Sequence, residues 1–155
     1  MGFRLEIDGA GPVKLTERAI TSVKFGSEIP QDSNARATDN GASIKIWGKL
    51  LFSLGGEEQD STLNLAQWSL VPSESPDSYR NVKVDVVSAS QIVRQITLPN
   101  AFVVEYAEEL DDETGVGSFY LHVKQKKDQL PRSPLTANSA LNAERRCNYV
   151  FEGND

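Results

Sequence analysis

A mainly β fold, a β-barrel with one short flanking α-helix, is predicted by three observations. Apolar residues alternate with polar ones at the period of a half-buried strand in several separate segments. Turn chemistry punctuates those segments at short intervals, as in sandwiches and barrels. Only one stretch, near residues 61–70, carries apolar residues at helix-like spacing.

The alternation begins at the N-terminus, where Phe3, Leu5 and Ile7 interleave with Arg4, Glu6 and Asp8. Gly9-Ala10-Gly11-Pro12 ends that strand, and Val13 and Leu15 open a hairpin partner. Ile20, Val23 and Phe25 mark a further strand. Residues 26–41 hold almost nothing a core would use and read as a long loop, closed by the turn residues Asp39-Asn40-Gly41. A loop of about 15 residues is uncommon in a compact domain and points to function or partner contact. Ile44 and Ile46, continuing towards Leu50 and Phe52, predict a long strand with Trp47 on its opposite side.

The helix is expected from Ser61 to Leu70, with Ser61 after Asp60 as N-cap, an apolar stripe of Leu63, Leu65, Trp68 and Leu70, and Pro72 as its stop. Next, Val82, Val84 and Val86 alternate with Asn81, Lys83 and Asp85. Ile92 and Ile96 flank Arg94, with Val93 on the other face. Pro99-Asn100 is expected to turn the chain before Phe102, Val104 and Tyr106. Asp111-Asp112-Glu113-Thr114-Gly115 reads as a charged hairpin turn, returning through Phe119, Leu121 and Val123 with Tyr120 and His122 facing away. Pro131 and Pro134 interrupt the pattern. The expected organisation is therefore a barrel over residues 1–126 and an extended C-terminal arm over 127–155, with Tyr149, Val150 and Phe151 as a short apolar anchor.

Composition narrows the function. The chain has 155 residues, enough to bury roughly two-thirds of its unfolded surface without a metal or disulfide. A net charge of −6 argues against a general nucleic-acid binder, which needs clustered Lys and Arg. A single cysteine, Cys147, allows no intrachain disulfide and no cysteine-built zinc site. No apolar run approaches the roughly 18 residues of a membrane helix. Met1 to Glu6 have neither the apolar stretch of a secretory leader nor the Ser or Thr of a myristoylation signal.

No catalytic constellation emerges. His122 is the only histidine and lies within a predicted strand, where an outer-face residue is the ordinary reading. Gly115-Val116-Gly117-Ser118-Phe119 lacks the last glycine of a nucleophile elbow. Gly55-Gly56 precedes Glu57-Glu58, which would repel phosphate. Trp47 and Trp68 are expected to pack in the core. The acidic run Glu105, Glu108, Glu109, Asp111, Asp112 and Glu113 lacks the donor spacing of an EF-hand and reads as a solvated hairpin tip. Lys124, Lys126 and Lys127 form a basic patch at the other end of the return strand. Acidic and basic ends on one strand pair suit head-to-tail stacking of subunits. Strands partly apolar on both faces, at Val86–Val87 and Phe102–Val104, fit a barrel whose outer wall meets neighbouring copies.

From Ser61 to about Asp128 the chain resembles the haemolysin-coregulated-protein superfamily, the inner-tube subunits of type VI secretion, and through them phage tail-tube proteins. The resemblance is carried by the helix at Ser61–Leu70, by Tyr79-Arg80-Asn81-Val82-Lys83-Val84-Asp85-Val86, by Val93 to Val104 with its Leu98-Pro99-Asn100-Ala101 step, and by the closing strand Gly117–Lys126. A second likeness, in Asp32 to Asp39 and in Gln125-Lys126-Lys127-Asp128, is to clostridial proteins labelled "membrane-associated protease", a label that the absent protease motif and membrane segment do not support. The tube resemblance implies a tail-tube-like barrel closing into a six-membered ring, with rings stacked into a hollow tube and no cofactor, metal or catalytic residue. It implies a protein made in the cytoplasm that becomes part of a phage or phage-like particle, or is injected or secreted without a signal peptide. Its partners would be copies of itself, with sheath or baseplate proteins beyond them.

The expected inter-subunit contacts are Ile29, Pro30, Asp32, Asn34, Arg36 and Asp39 in the long loop, Asp111, Asp112 and Glu113 at the hairpin, and Lys124, Lys126 and Lys127 opposite them. Arg94, Lys83 and Asp85 are candidates for polar surface along the lumen. The alternatives are a monomeric β-sandwich that binds a ligand or Ca²⁺ and, behind it, a hydrolase.

Overall fold

The computed structural model describes residues 1–28, 41–50, 61–125 and 135–137. Among these the fold is mainly antiparallel β-sheet with one α-helix. The strands are β1 (Gly2–Ile7), β2 (Val13–Leu15), β3 (Ile20–Glu28), β4 (Gly41–Lys49), β5 (Arg80–Ser88), β6 (Gln91–Leu110), β7 (Gly117–Gln125) and β8 (Leu135–Ala137); the helix α1 is Ser61–Ser69. They form one sheet in the order β2-β1-β5-β6-β7-β4-β3, with β8 added beside β6. The sheet curls around a single core until β1 touches β3, and no ladder joins its ends among the described residues.

The alternation seen in the sequence sets the inward face. Leu5, Ile7, Ile44, Ile46, Val82, Val84, Leu98, Leu121 and Val123 are at most 2% exposed and belong to one apolar cluster. In register, Leu5 lies opposite Val84 and Ile7 opposite Val82, while Ile46 lies opposite Leu121. Burying side chains of this size stabilises by roughly 1.5–3 kcal/mol each, so the cluster supplies the main driving force.

The longest strand departs from simple alternation. Pro99-Asn100 does not turn the chain: β6 runs straight through it for 20 residues. Its first half pairs with β5 and its second half with β7. Three register shifts each leave β6 with an extra residue, near Val93, at Pro99-Asn100 and at Val104. Asn100 takes φ 51, and its backbone N–H donates to Asn81 Oδ1 at 3.1 Å. The amide of buried Gln125 donates to the Pro99 carbonyl. The bulges change which residues face inward. Val103 and Tyr106 pack on the core, whereas Val104 is exposed and Phe102 meets Tyr79 edge to face. On β5, Val87 is buried in place of half-buried Val86, outside the main cluster.

The helix buries a different stripe from the expected one. Thr62, Leu65 and Trp68 point inward, while Leu63 and Leu70 are exposed. The reason is a charge. Arg80, only 5% exposed, holds its guanidinium 5.5 Å over the Trp68 ring, donates to the Gly11 and Asp77 carbonyls, and pairs with Asp77 Oδ2 at 2.9 Å. Trp68 Nε1 donates to the Ser78 carbonyl at 3.0 Å. Gly9, at φ +123, leaves room for this cluster, since a Cβ there would stand 2.7 Å from Arg80 Nε.

Three outcomes are expected. The β5–β6 turn carries Ala89 and Ser90 at φ 51 and 62, where Asn-Gly is the favoured pair; Ala89→Asn with Ser90→Gly should add about 1 kcal/mol in denaturant titration. Arg80→Met should cost about 2 kcal/mol, because three hydrogen bonds from a charged donor are lost at a buried site. The Arg80 guanidinium also holds the Asp77 carboxyl below its ordinary 3.8, so its contribution is present above that pH and fades as pH falls further. Asp77→Asn should therefore lower the melting temperature at neutral pH and narrow the gap between parent and variant in acid.

Candidate functional site: the outward face of the β3–β4–β7–β6 half

The outward sides of the two halves of the sheet differ in chemistry. On β1 and β5, with the first half of β6, the polar residues answer one another across strands. Lys83 Nζ lies 3.8 Å from Glu6, Gln95 donates to Asp85 Oδ1 at 2.8 Å, and Asn81 donates to Asp8 at 2.8 Å. Arg4 stands opposite Asp85 in register and pairs with Glu17 at 3.1 Å. Of the polar-surface candidates, Lys83 is half-buried on this face and Arg94 is exposed on β6 opposite Val86, whereas Asp85, bonded to Gln95, is only 6% exposed and is not surface.

The other half is not self-satisfied. Registers across β3, β4, β7 and β6 arrange its outward residues in rows. Next to the hairpin, Lys49, Ser118 and Glu109 share a row. The next row holds Ser22, Trp47, Tyr120 and Ala107, then comes Lys24, Lys45, His122 and Glu105, and at the far end Ser43 is followed by Lys124 and Phe102. Along the strands the face thus runs from the acidic hairpin through the aromatic row to a row that carries Lys24 and Lys45 on β3 and β4 and Glu105 on β6.

The acidic end is the β6–β7 hairpin. Its tip closes through Gly115 N–H to the Asp111 carbonyl at 3.0 Å, and Asp111 Oδ1 accepts the Glu113 N–H at 3.0 Å. Residues Glu108 to Val116 are exposed throughout. The expected contacts Asp111, Asp112 and Glu113 are therefore surface residues, and Lys124 sits at the opposite end of the same strand pair, as the sequence implies. Ile29, Pro30, Asp32, Asn34, Arg36, Asp39, Lys126 and Lys127 lie outside the described residues, as does Cys147.

In the aromatic row Trp47 and Tyr120 stack at 5.2 Å with their rings tilted by 42°. Trp47 is 37% exposed, so it does not join the core as expected. Gly48 explains its phase: a Cβ at 48 would stand 2.4 Å from the Phe119 ring, so the core side of the strand is filled by Phe119 and the indole beside it faces out. Trp47, Tyr120, Thr21, Val116 and the stem of Lys49 line an open groove of about 650 Å³. Desolvation, helped by the nearby Glu105 charge, raises the Tyr120 phenol above its ordinary 10.0, so it stays neutral at physiological pH.

The basic end carries an electrostatic conflict. Lys24 and Lys45 are directly opposed across β3 and β4, and like charges so placed destabilise a sheet. Among the described residues neither lysine pairs with a carboxylate. Sequence reasoning missed both, because their approach depends on a register set by the bulge at Thr21, whose hydroxyl donates to the Trp47 carbonyl at 3.0 Å. Among the described residues no group of three or more His, Cys, Asp and Glu is placed to hold a metal ion. No described helix is long and apolar enough to cross a membrane.

No protein-family model matches the sequence, and no curated protein matches it. Solved structures do. The Hcp1 protein from the E. coli EAEC 042 pathovar, in a doubly substituted form, is 10% identical with a TM-score of 0.52, over 88% of this chain and 99% of that one. The tail of an empty gene transfer agent particle, refined with C6 symmetry, is 12% identical with a TM-score of 0.50, over 88% and 95%. A chain of the native gene transfer agent virion gives 11% and 0.50 over the same shares. The fold is therefore the Hcp-like tail-tube fold, as the sequence resemblance implies; at such identities the likeness speaks for the fold alone.

Relief of the lysine conflict is measurable. Lys24→Glu should stabilise the isolated subunit by about 0.5 kcal/mol in urea titration, by turning a repulsive cross-strand pair into an attractive one.

Proposed function

We propose that this chain is a structural subunit that assembles with copies of itself into rings, stacked as a hollow tube, in a phage tail, a phage-like contractile particle or a type VI-like secretion system. The observation that carries the proposal is the tail-tube fold, shared over 88% of the chain with Hcp1 and with the gene transfer agent tail. The C6 symmetry of that tail supports a six-membered ring. The exposed aromatic groove and the charge gradient beside it support contacts between copies, since a monomer has no use for an uncovered Trp–Tyr pair next to opposed lysines.

In this role the chain performs no chemistry, and sheath or baseplate proteins are its further partners. The self-satisfied polar ladder of β1, β5 and β6, with Lys83 at its surface, is assigned to the lumen or to solvent, because its charges need no outside partner. Ile29 to Asp39 is assigned to a neighbouring subunit, and residues 138–155, beyond the β8 strand that pairs with β6, to an arm reaching an adjacent ring.

Negative-stain electron microscopy of the purified protein, beside its light-scattering mass, tests the proposal. Rings or tubes with a central hole are expected without added ligand. A 17.0 kDa monomer at high concentration would refute autonomous assembly.

A further inference from the structure

We infer that the Lys24–Lys45 strip of one copy receives the acidic β6–β7 hairpin of a second copy, in a head-to-tail contact that repeats from subunit to subunit. The inference rests on the self-assembly reading and names the surfaces that carry it.

Four observations support it. Lys24 and Lys45 lie mid-strand on β3 and β4, in the row of His122 and about 13 Å along the sheet from the Ser118–Glu109 row at the base of the hairpin, whose tip extends away from them, so the two clusters do not meet within one copy. A contact between two different patches of identical subunits is heterologous, and it closes into a ring or continues as a filament. The charges suit each other: the hairpin carries Glu109, Asp111, Asp112 and Glu113, and the strip carries the opposed pair Lys24 and Lys45. The Lys24–Lys45 opposition is a standing cost in the isolated subunit that an incoming carboxylate removes. Between the two ends lies the Trp47–Tyr120 groove, where the apolar flank of the hairpin, Leu110 and Val116, has a surface to cover; Leu110 is 66% and Val116 53% exposed.

A second copy fits better than another anionic partner. The chain carries a net charge of −6, and the hairpin carboxylates stand at the end of the very face that bears the lysines. A nucleic acid laid along the strands would meet Glu105, Glu109 and the hairpin tip, whereas a second copy's hairpin meets the lysines at the β3–β4 side of the row, with Glu105 two strands away beyond His122.

A charge exchange tests the contact in the full chain. One variant carries Lys24→Glu with Lys45→Glu; the other carries Glu109→Lys, Asp112→Lys and Glu113→Lys. Each alone should need about ten-fold more protein to assemble, read as sedimentation mass, and an equimolar mixture or the combined five-fold variant should restore the parent's behaviour. Thermal melts separate this from misfolding: the Lys24→Glu, Lys45→Glu variant exchanges one like-charged opposed pair for another and should still unfold in a single cooperative transition within a few degrees of the parent. Raising salt from about 0.1 M to about 1 M should weaken parent assembly and leave the fold intact. If either variant assembles like the parent, or if the mixture fails to restore assembly, the contact is wrong while the tube reading stands. If the parent stays a monomer throughout, both fall.

Discussion

A 20-residue strand that must serve two partner strands is the constraint on which the rest of this structure depends. β6 pairs with β5 along its first half and with β7 along its second. An unbroken two-residue alternation over that length would hold the strand too straight to wrap a core. Three extra residues prevent this, each adding bend and twist where it stands. Inward positions on β6 consequently fall at Ile96, Leu98, Ala101, Val103 and Tyr106, a series with two steps of three among steps of two. The curl that follows brings β1 against β3 and encloses the core without a closing ladder among the described residues.

The second organising element is Arg80. A guanidinium 5% exposed is tolerable only with its donors occupied, and here the Gly11 carbonyl, the Asp77 carbonyl and the Asp77 carboxylate occupy them. Because these groups come from the β1–β2 link, the segment after α1 and the start of β5, one side chain fixes the helix against the sheet. Trp68 is held from both sides, by the cation over its ring and by its own N–H on Ser78. The rotation of the helix follows from that docking, and it leaves Leu63 and Leu70 in solvent.

These constraints together produce two outward faces with different roles. One half pairs its charges internally and asks nothing of a neighbour. The other exposes an aromatic groove between an acidic hairpin and an opposed lysine pair, charges that are not balanced across the strands.

Much of this was legible in the sequence. Strict alternation identified β1, the start of β5, and β7, because a period of two on a curved sheet has only one inward phase. The acidic hairpin and its distance from Lys124 were legible too, since turn chemistry and a nine-residue return strand set them locally. The tail-tube fold was implied by residues 61–128 and is the fold that the solved structures share. Only the tertiary structure decided the rest. Pro99-Asn100 reads locally as a turn, yet Asn81 and Gln125 satisfy its backbone from neighbouring strands and turn it into a bulge. Trp47 reads as core, yet Phe119 fills the space beside Gly48. Lys24 and Lys45 are 21 positions apart and meet only through register. What one residue and its near neighbours can satisfy is written in the sequence; what depends on groups brought from distant strands appears only when they meet.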